Sequence, residues 1–160
     1  MQDKRQRGFS LIELLIVVAI ILIVTAIAIP SFLQARMSAN ESSAVTSIHA
    51  VNTSEISYSS TYPTIGFSPS LANLGDGGVS PCVATAAAAC FLDPVIAGGT
   101  KSGYQFTYVQ DNSAVPAPGY KINADPMNRG FSGQRSFYSD QHNITRYNAT
   151  APATPASPAL

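Results

Sequence analysis

From Leu14 to Val24 every position is apolar, and with Thr25 accepted the run reaches Ile29. Counted from Phe9 it is 21 residues long, broken only by Ser10, Glu13 and Thr25. About 20 apolar residues cross a bilayer as a helix, so this segment is expected to span one. After Pro30 the pattern changes. Val45, Ile48, Val51, Tyr58 and Tyr62 recur at helical spacing, Glu55 and Ile56 blur the stripe, and Ser, Thr and Asn fill the other face. Together the two patterns predict one long helix from about Phe9 to Thr61. Pro30 lacks an N–H and clashes with the preceding turn, so a kink or local melting is expected there. Pro63 ends the helix by restricting Tyr62.

Residues 63–103 are rich in Gly, Pro, Ser and Ala. Pro69–Leu74 reads as a short helical turn, Asp76-Gly77-Gly78 as a turn, Val83–Phe91 as a short helix or a loop, and Leu92–Ala97 as another short helix. Period-two alternation then marks strands at 104–109, 120–124, 135–139 and 144–147, with Asp140-Gln141-His142-Asn143 as a hairpin turn. The reading is an α+β chain: a long N-terminal helix, apolar first and amphipathic second, packed on a small antiparallel meander of three or four strands. Residues 149–160 are Ala, Pro, Thr and Ser with one Leu, and are expected to be a disordered tail.

Formal net charge is zero and 11% of residues are charged, which gives no support to a general nucleic-acid or acidic-substrate binder. The charge is uneven, however. Lys4, Arg5 and Arg7 crowd the first eight positions, opposed only by Asp3. By the positive-inside rule these basic residues stay cytoplasmic and the chain after Pro30 lies outside. A secretory signal peptide would have a shorter core and a small-residue cleavage site, whereas Pro30-Ser31-Phe32-Leu33 follows here. A plain signal anchor leaves Glu13 unexplained, since a carboxylate near the edge of an apolar span is costly and usually has a partner or a role. The two cysteines, Cys82 and Cys90, favour one disulfide in an exported chain, with two buried thiols as the alternative.

Little else suggests chemistry. His49 and His142 are not at ligand spacing, and the downstream aspartates form no calcium-loop pattern. The glycines at 75, 77 and 78 make no phosphate loop, and no nucleophile elbow is present. No metal, cofactor or enzymatic activity is therefore expected. The seven tyrosines could be read as a stacking or electron-conducting series, but their strand and helix-face positions favour core packing. Lys101, Lys121, Arg129, Arg135 and Arg146 could be read as a DNA-binding patch. The interspersed Asp111, Asp125 and Asp140 favour an ordinary mixed surface, and DNA binding is left without support.

The stretch Arg7-Gly8-Phe9-Ser10-Leu11-Ile12-Glu13-Leu14-Leu15-Ile16-Val17 closely resembles the cleavage and methylation motif of type IV prepilins. That family includes major and minor pilins and type II secretion pseudopilins. Ser10 stands where many relatives carry Thr, and Pro30 where they often carry a helix-kinking proline. The resemblance implies cleavage between Gly8 and Phe9, N-methylation of Phe9, and retention of the helix. It implies as partners a prepilin peptidase/methyltransferase, inner-membrane assembly machinery, membrane lipid, and other copies of the chain in a filament. The chain would then divide into a leader (1–8), a transmembrane and polymerisation helix (9–30), an amphipathic helix (31–62), a globular domain (63–148) and the tail (149–160). In a filament a lone carboxylate in the helix bundle is costly unless paired, and the resemblance implies that Glu13 meets a neighbour's Phe9 amine. A type II secretion pseudopilin and a monomeric signal-anchored binding protein are the competing readings. The major pseudopilin usually carries a C-terminal calcium loop, and none is found here.

Overall fold

A computed structural model describes residues 9–160, so the leader at 1–8, with Gly8, lies outside the described residues. The described chain forms two units, divided between Ala35 and Arg36. The expected long helix is α1, Leu11–Thr61, and its helical assignment runs unbroken through Pro30, so the chain does not melt there. Thr25 is accommodated because its hydroxyl donates back to the carbonyls of Ile21 (2.9 Å) and Leu22 (3.1 Å), leaving no polar group without a partner in an apolar stretch.

The second unit is an α+β fold. A five-stranded antiparallel meander comprises β1 (Thr100–Lys101), β2 (Tyr104–Asp111), β3 (Gly119–Pro126), β4 (Ser136–Asp140) and β5 (Arg146–Asn148), each strand paired with the next. The four strands read from alternation are all present, and β1 makes a fifth; two residues are too few to display a period. Alternation works as expected on β2, where Tyr104 and Phe106 point into the core and Gln105 and Thr107 point out. Ala44, Ile48, Val51 and Tyr58 of α1 meet Tyr104, Phe106, Tyr120, Ile122, Ala124 and Phe137 of the sheet in one core. Most of the predicted stripe is thus buried, and the tyrosines at 58, 104 and 120 are core residues.

Between helix and sheet, a single 3-10 turn (Leu71–Leu74) and the short helix α2 (Pro94–Ala97) close the open end of the core with Leu71, Leu74, Leu92 and Ile96. Asp93 caps α2 by accepting from the Val95 N–H at 2.8 Å, and Pro94 occupies the first turn, where its missing N–H costs nothing. Val83–Phe91 is a loop rather than a helix, closed by a Cys82–Cys90 disulfide with the Cα atoms 6.2 Å apart. Its backbone is docked: Ala89 donates to Asn73, Cys90 to Gly75, and Phe91 and Leu92 to Leu74, all within 3.0 Å. Gly66 has φ +83° and lies against the Ala117 backbone, a position that no side chain could share.

The tail departs from expectation. Residues 149–160 are not disordered; Ala153 and Ser157 are buried. The Tyr147 N–H donates to the Pro158 carbonyl (3.0 Å), the Leu160 N–H to Thr145 (2.9 Å), the Arg146 guanidinium to Ser157 (2.9 Å) and the Asn123 amide to Ala153 (2.7 Å). The reason is complementary bonding capacity. A proline-rich strand offers carbonyls and few N–H groups, and the β5 edge with Arg146 and Asn123 supplies the donors. The tail thereby covers an edge strand that would otherwise be open to other chains.

Candidate functional site

The site read from the motif begins at the first described residue. Phe9 is 77% exposed and precedes α1. The Ser10 carbonyl accepts the first helical bonds, from Glu13 N–H (3.1 Å) and Leu14 N–H (3.2 Å), so Ser10 is the N-cap and Glu13 stands in the first turn. Ser10-Leu11-Ile12-Glu13 therefore has the spacing of a capping box, and a carboxylate there also complements the positive end of the helix dipole. Among the described residues neither side chain makes the reciprocal capping bond and Glu13 forms no salt bridge. The spacing of this box was visible in the sequence, yet the signal was absorbed by the apolar run behind it.

Behind Glu13 the large apolar side chains from Leu14 to Ile29 are exposed along α1. The helix is long and apolar enough to cross a membrane. The segment thus presents one carboxylate in its first turn at the head of a largely apolar surface that, among the described residues of its own unit, nothing covers.

The domain holds two further carboxylates of α1, both buried. Glu41 is 7% exposed and accepts from the N–H groups of Gln134 (2.8 Å) and Arg135 (3.0 Å), while its other oxygen meets the Arg135 Nε at 2.8 Å. Burial pushes this carboxyl up, but the two N–H groups and the guanidinium outweigh burial and hold it below the usual carboxylate range. Glu55 is fully buried and carries no cation. It accepts from the Ser68 N–H at 2.9 Å and from the Ser68 hydroxyl, and the Tyr108 hydroxyl lies in the same cluster, donating to the Ser68 carbonyl. Burial dominates here and raises the Glu55 carboxyl despite those bonds. Glu55 follows Val51 by four positions and precedes Tyr58 by three, so it belongs to the buried stripe it was expected to blur. Asn52 completes a polar seam, donating to Ser139 Oγ (2.9 Å) and Asn143 Oδ1 (2.6 Å) and accepting from the Tyr120 hydroxyl (2.8 Å).

These arrangements fasten strands and loops to α1, and among the described residues no group of three or more His, Cys, Asp or Glu side chains converges as for a metal ion.

The family profile of the prokaryotic N-terminal methylation motif matches residues 3–29. The type IV major pilin protein PilA of Myxococcus xanthus (strain DK1622) is 45% identical over 78 residues, covering 44% of this chain and 36% of that protein. The matched stretch thus spans little more than a third of the relative's length. No solved structure matches the chain significantly. The chain thus carries the prokaryotic N-terminal methylation motif at the head of a long apolar helix, and over 78 residues it is similar to a type IV major pilin.

Proposed function

We infer that this chain is a structural subunit of a type IV pilus or a related filament. The leader 1–8 is removed between Gly8 and Phe9 by a prepilin peptidase, and the new Phe9 amine is methylated. Residues 9–30 hold the subunit in the inner membrane with the N-terminus cytoplasmic. Assembly machinery then moves it into a filament in which these helices bundle. The observation that carries this reading is the apolar surface of α1 with its single first-turn carboxylate, directly after a basic leader ending in glycine. Such a surface is stable in lipid or against other copies of itself, and apolar packing supplies most of the cohesion in both places. Glu13 supplies register: a carboxylate carried into the bundle is tolerated only with a cation beside it, and a neighbour's Phe9 amine, kept cationic by methylation, meets that need. Pro30 kinks the helix where the membrane segment gives way to the amphipathic one.

Mass spectrometry of subunits from sheared surface filaments tests the whole scheme. The expected subunit starts at methylated Phe9. An intact Met1, or a start beyond Ile29, overturns the processing step. Finding the processed chain only in a short periplasmic assembly, never on the cell surface, would favour a secretion pseudopilus. A processed chain that stays monomeric in the membrane would favour an anchored binding protein.

A further inference from the structure

Three side chains at the start of the domain serve none of the roles described above. Arg36 is exposed, and its guanidinium lies over the Phe131 ring, 5.4 Å from the centroid. Phe131 is itself 47% exposed and Met127 65%. The loop that carries them is fastened in place. The Asn40 amide donates to the Ser132 carbonyl at 2.8 Å, Met127 N–H to Gly103 at 2.9 Å, and Ser132 N–H to Asn128 at 2.8 Å. Arg129 on the same loop is used internally, donating to the Gln134 and Ala149 carbonyls and to Ser136 Oγ, and Arg135 is bound to Glu41. Among the described residues Arg36 makes no salt bridge. A cation over an exposed ring, with an exposed thioether four positions away on the same fastened loop, thus stands at the surface of the domain.

Its place in the chain identifies what it would meet. Arg36 stands three positions after Leu33, the last of the apolar pair Phe32-Leu33 that follows Pro30. A chain covers at most about 3.6 Å per residue, so Arg36 is within about 11 Å of Leu33 by covalent reach alone. The headgroup zone is roughly 5–8 Å deep on each side of the hydrocarbon core. With the apolar segment in a bilayer, Arg36 is therefore held at or just above headgroup level, and Phe131 goes with it. A guanidinium bonds phosphate in a fixed fork geometry, and an aromatic ring and a flexible apolar side chain suit the boundary between headgroups and acyl chains.

We propose that Arg36, Phe131 and Met127 form a footing that rests on the outer surface of the bilayer, with the guanidinium on phospholipid phosphate and the ring and thioether in the interface. The footing fixes the depth and tilt of the subunit before assembly, and it must be lifted off when the subunit leaves the membrane. This rests on the reading of residues 9–30 as a membrane span.

The chain contains no tryptophan, so Phe131→Trp gives a unique fluorescent reporter at an exposed site. The full-length variant is reconstituted in phosphatidylcholine–phosphatidylglycerol vesicles and recovered by flotation. Its emission should be blue-shifted, and quenched more by lipid brominated high on the acyl chain than by lipid brominated near the chain end. Adding Arg36→Glu should shift the emission toward the red and remove most of the quenching. Val115→Trp is the control. Val115 lies in the turn between β2 and β3, whose pairing runs from Tyr104↔Pro126 to Asp111↔Gly119, so it sits about 23 Å from the Met127 end of the hairpin. It should emit as in water. Protein that floats with the vesicles but shows water-like emission from Phe131→Trp overturns the footing and leaves the span intact. Protein that does not float overturns both. Equal quenching at the two positions overturns the footing, because the domain then lies flat on the surface. A blue shift that appears only as protein density in the vesicles rises also overturns it, because a second copy is then the cover.

Discussion

The two units of this chain treat apolar side chains in opposite ways. Up to Ala35 they are laid open, with Leu11 at 81% and Ile27 at 74% exposure, while from Arg36 onward Ile48, Val51 and Tyr58 are fully buried. Each Leu, Ile or Val moved out of water contributes about 1.5–3 kcal/mol, so the first unit holds a large stabilisation it cannot realise alone. The domain buries its own apolar side chains, and the reading proposed above has the first unit completed by a bilayer or by other helices. The carboxylates of α1 repeat the contrast. Glu41 and Glu55 find their partners within the domain, whereas among the described residues Glu13 has none.

The sharpest way to break this comparison is at Glu13. Glu13→Ala should leave insertion and the domain intact, because the segment becomes more apolar and the domain's core is built from residues beyond Arg36. Filament assembly should fail or slow sharply, since a neighbour's Phe9 amine would enter the bundle uncompensated, a penalty of about 3–5 kcal/mol. Glu13→Gln separates pairing from capping. Glutamine serves a capping box as well as glutamate does, so a capping role predicts normal assembly and charge pairing predicts failure. The measurement is the ratio of subunit in the membrane to subunit in sheared filaments, and wild-type ratios for both variants would leave Glu13 as a helix-end residue.

Within the domain the effects are smaller and concern folding alone. Replacing Cys82 and Cys90 by serine should cost about 2–3 kcal/mol, the loop-closure entropy of so short a ring, and lower the melting temperature of the domain without altering the fate of the membrane segment. Glu41→Ala leaves two part-buried N–H groups without their acceptor and should cost about 1–2 kcal/mol at neutral pH. Its pH dependence has a definite sign. The folded carboxyl lies below its ordinary value of 4.5, so its contribution is present above that value and is lost as pH falls through the folded one. Wild type and variant should therefore converge in acid, and denaturant titrations at neutral and acid pH would show it.

How far the sequence revealed all this follows the same division. In the first unit, legibility comes from local chemistry: the apolar run behind Glu13 reads as a long helix without long-range contacts, and it forms one, while the roles proposed for Gly8, Phe9 and Glu13 rest on the motif. In the domain, alternation located β2, β3 and β4, and the short helix read at Leu92–Ala97 is α2, which starts two residues later at Pro94 behind its Asp93 cap. What escaped depended on partners far away in sequence. Glu55 looked like a flaw in the stripe because Ser68, whose N–H and hydroxyl satisfy it, is not foreseeable from spacing. The tail looked disordered because its prolines were read for what they lack, whereas the donors waiting on β5 and on Asn123 decide its fate.

Glu55 gives the smallest expected effect. Its carboxyl is raised by burial, so its contribution is full below 4.5 and is lost as pH rises through the folded value; at neutral pH the ionised form is less favourable in the core than in water. Glu55→Gln removes that charge and keeps the bonding pattern. The amide oxygen can take the Ser68 N–H, and the amide nitrogen can donate to the Ser68 hydroxyl, whose proton then turns from residue 55 to the Ser70 carbonyl. Stability at neutral pH should therefore change by less than about 1 kcal/mol, in the stabilising direction if at all, and the gain should fade as pH falls through the folded value towards 4.5. Denaturant melts of the two proteins across that range decide the matter, and a loss of 2 kcal/mol or more, judged against the usual cost of an unmet buried group, would show that the carboxylate charge itself holds the 63–70 segment in place. Set beside Glu13→Gln, the outcome separates the two uses of a glutamate on one helix: the same neutral, isosteric change should stop assembly at one end of α1 and pass almost unnoticed at the other.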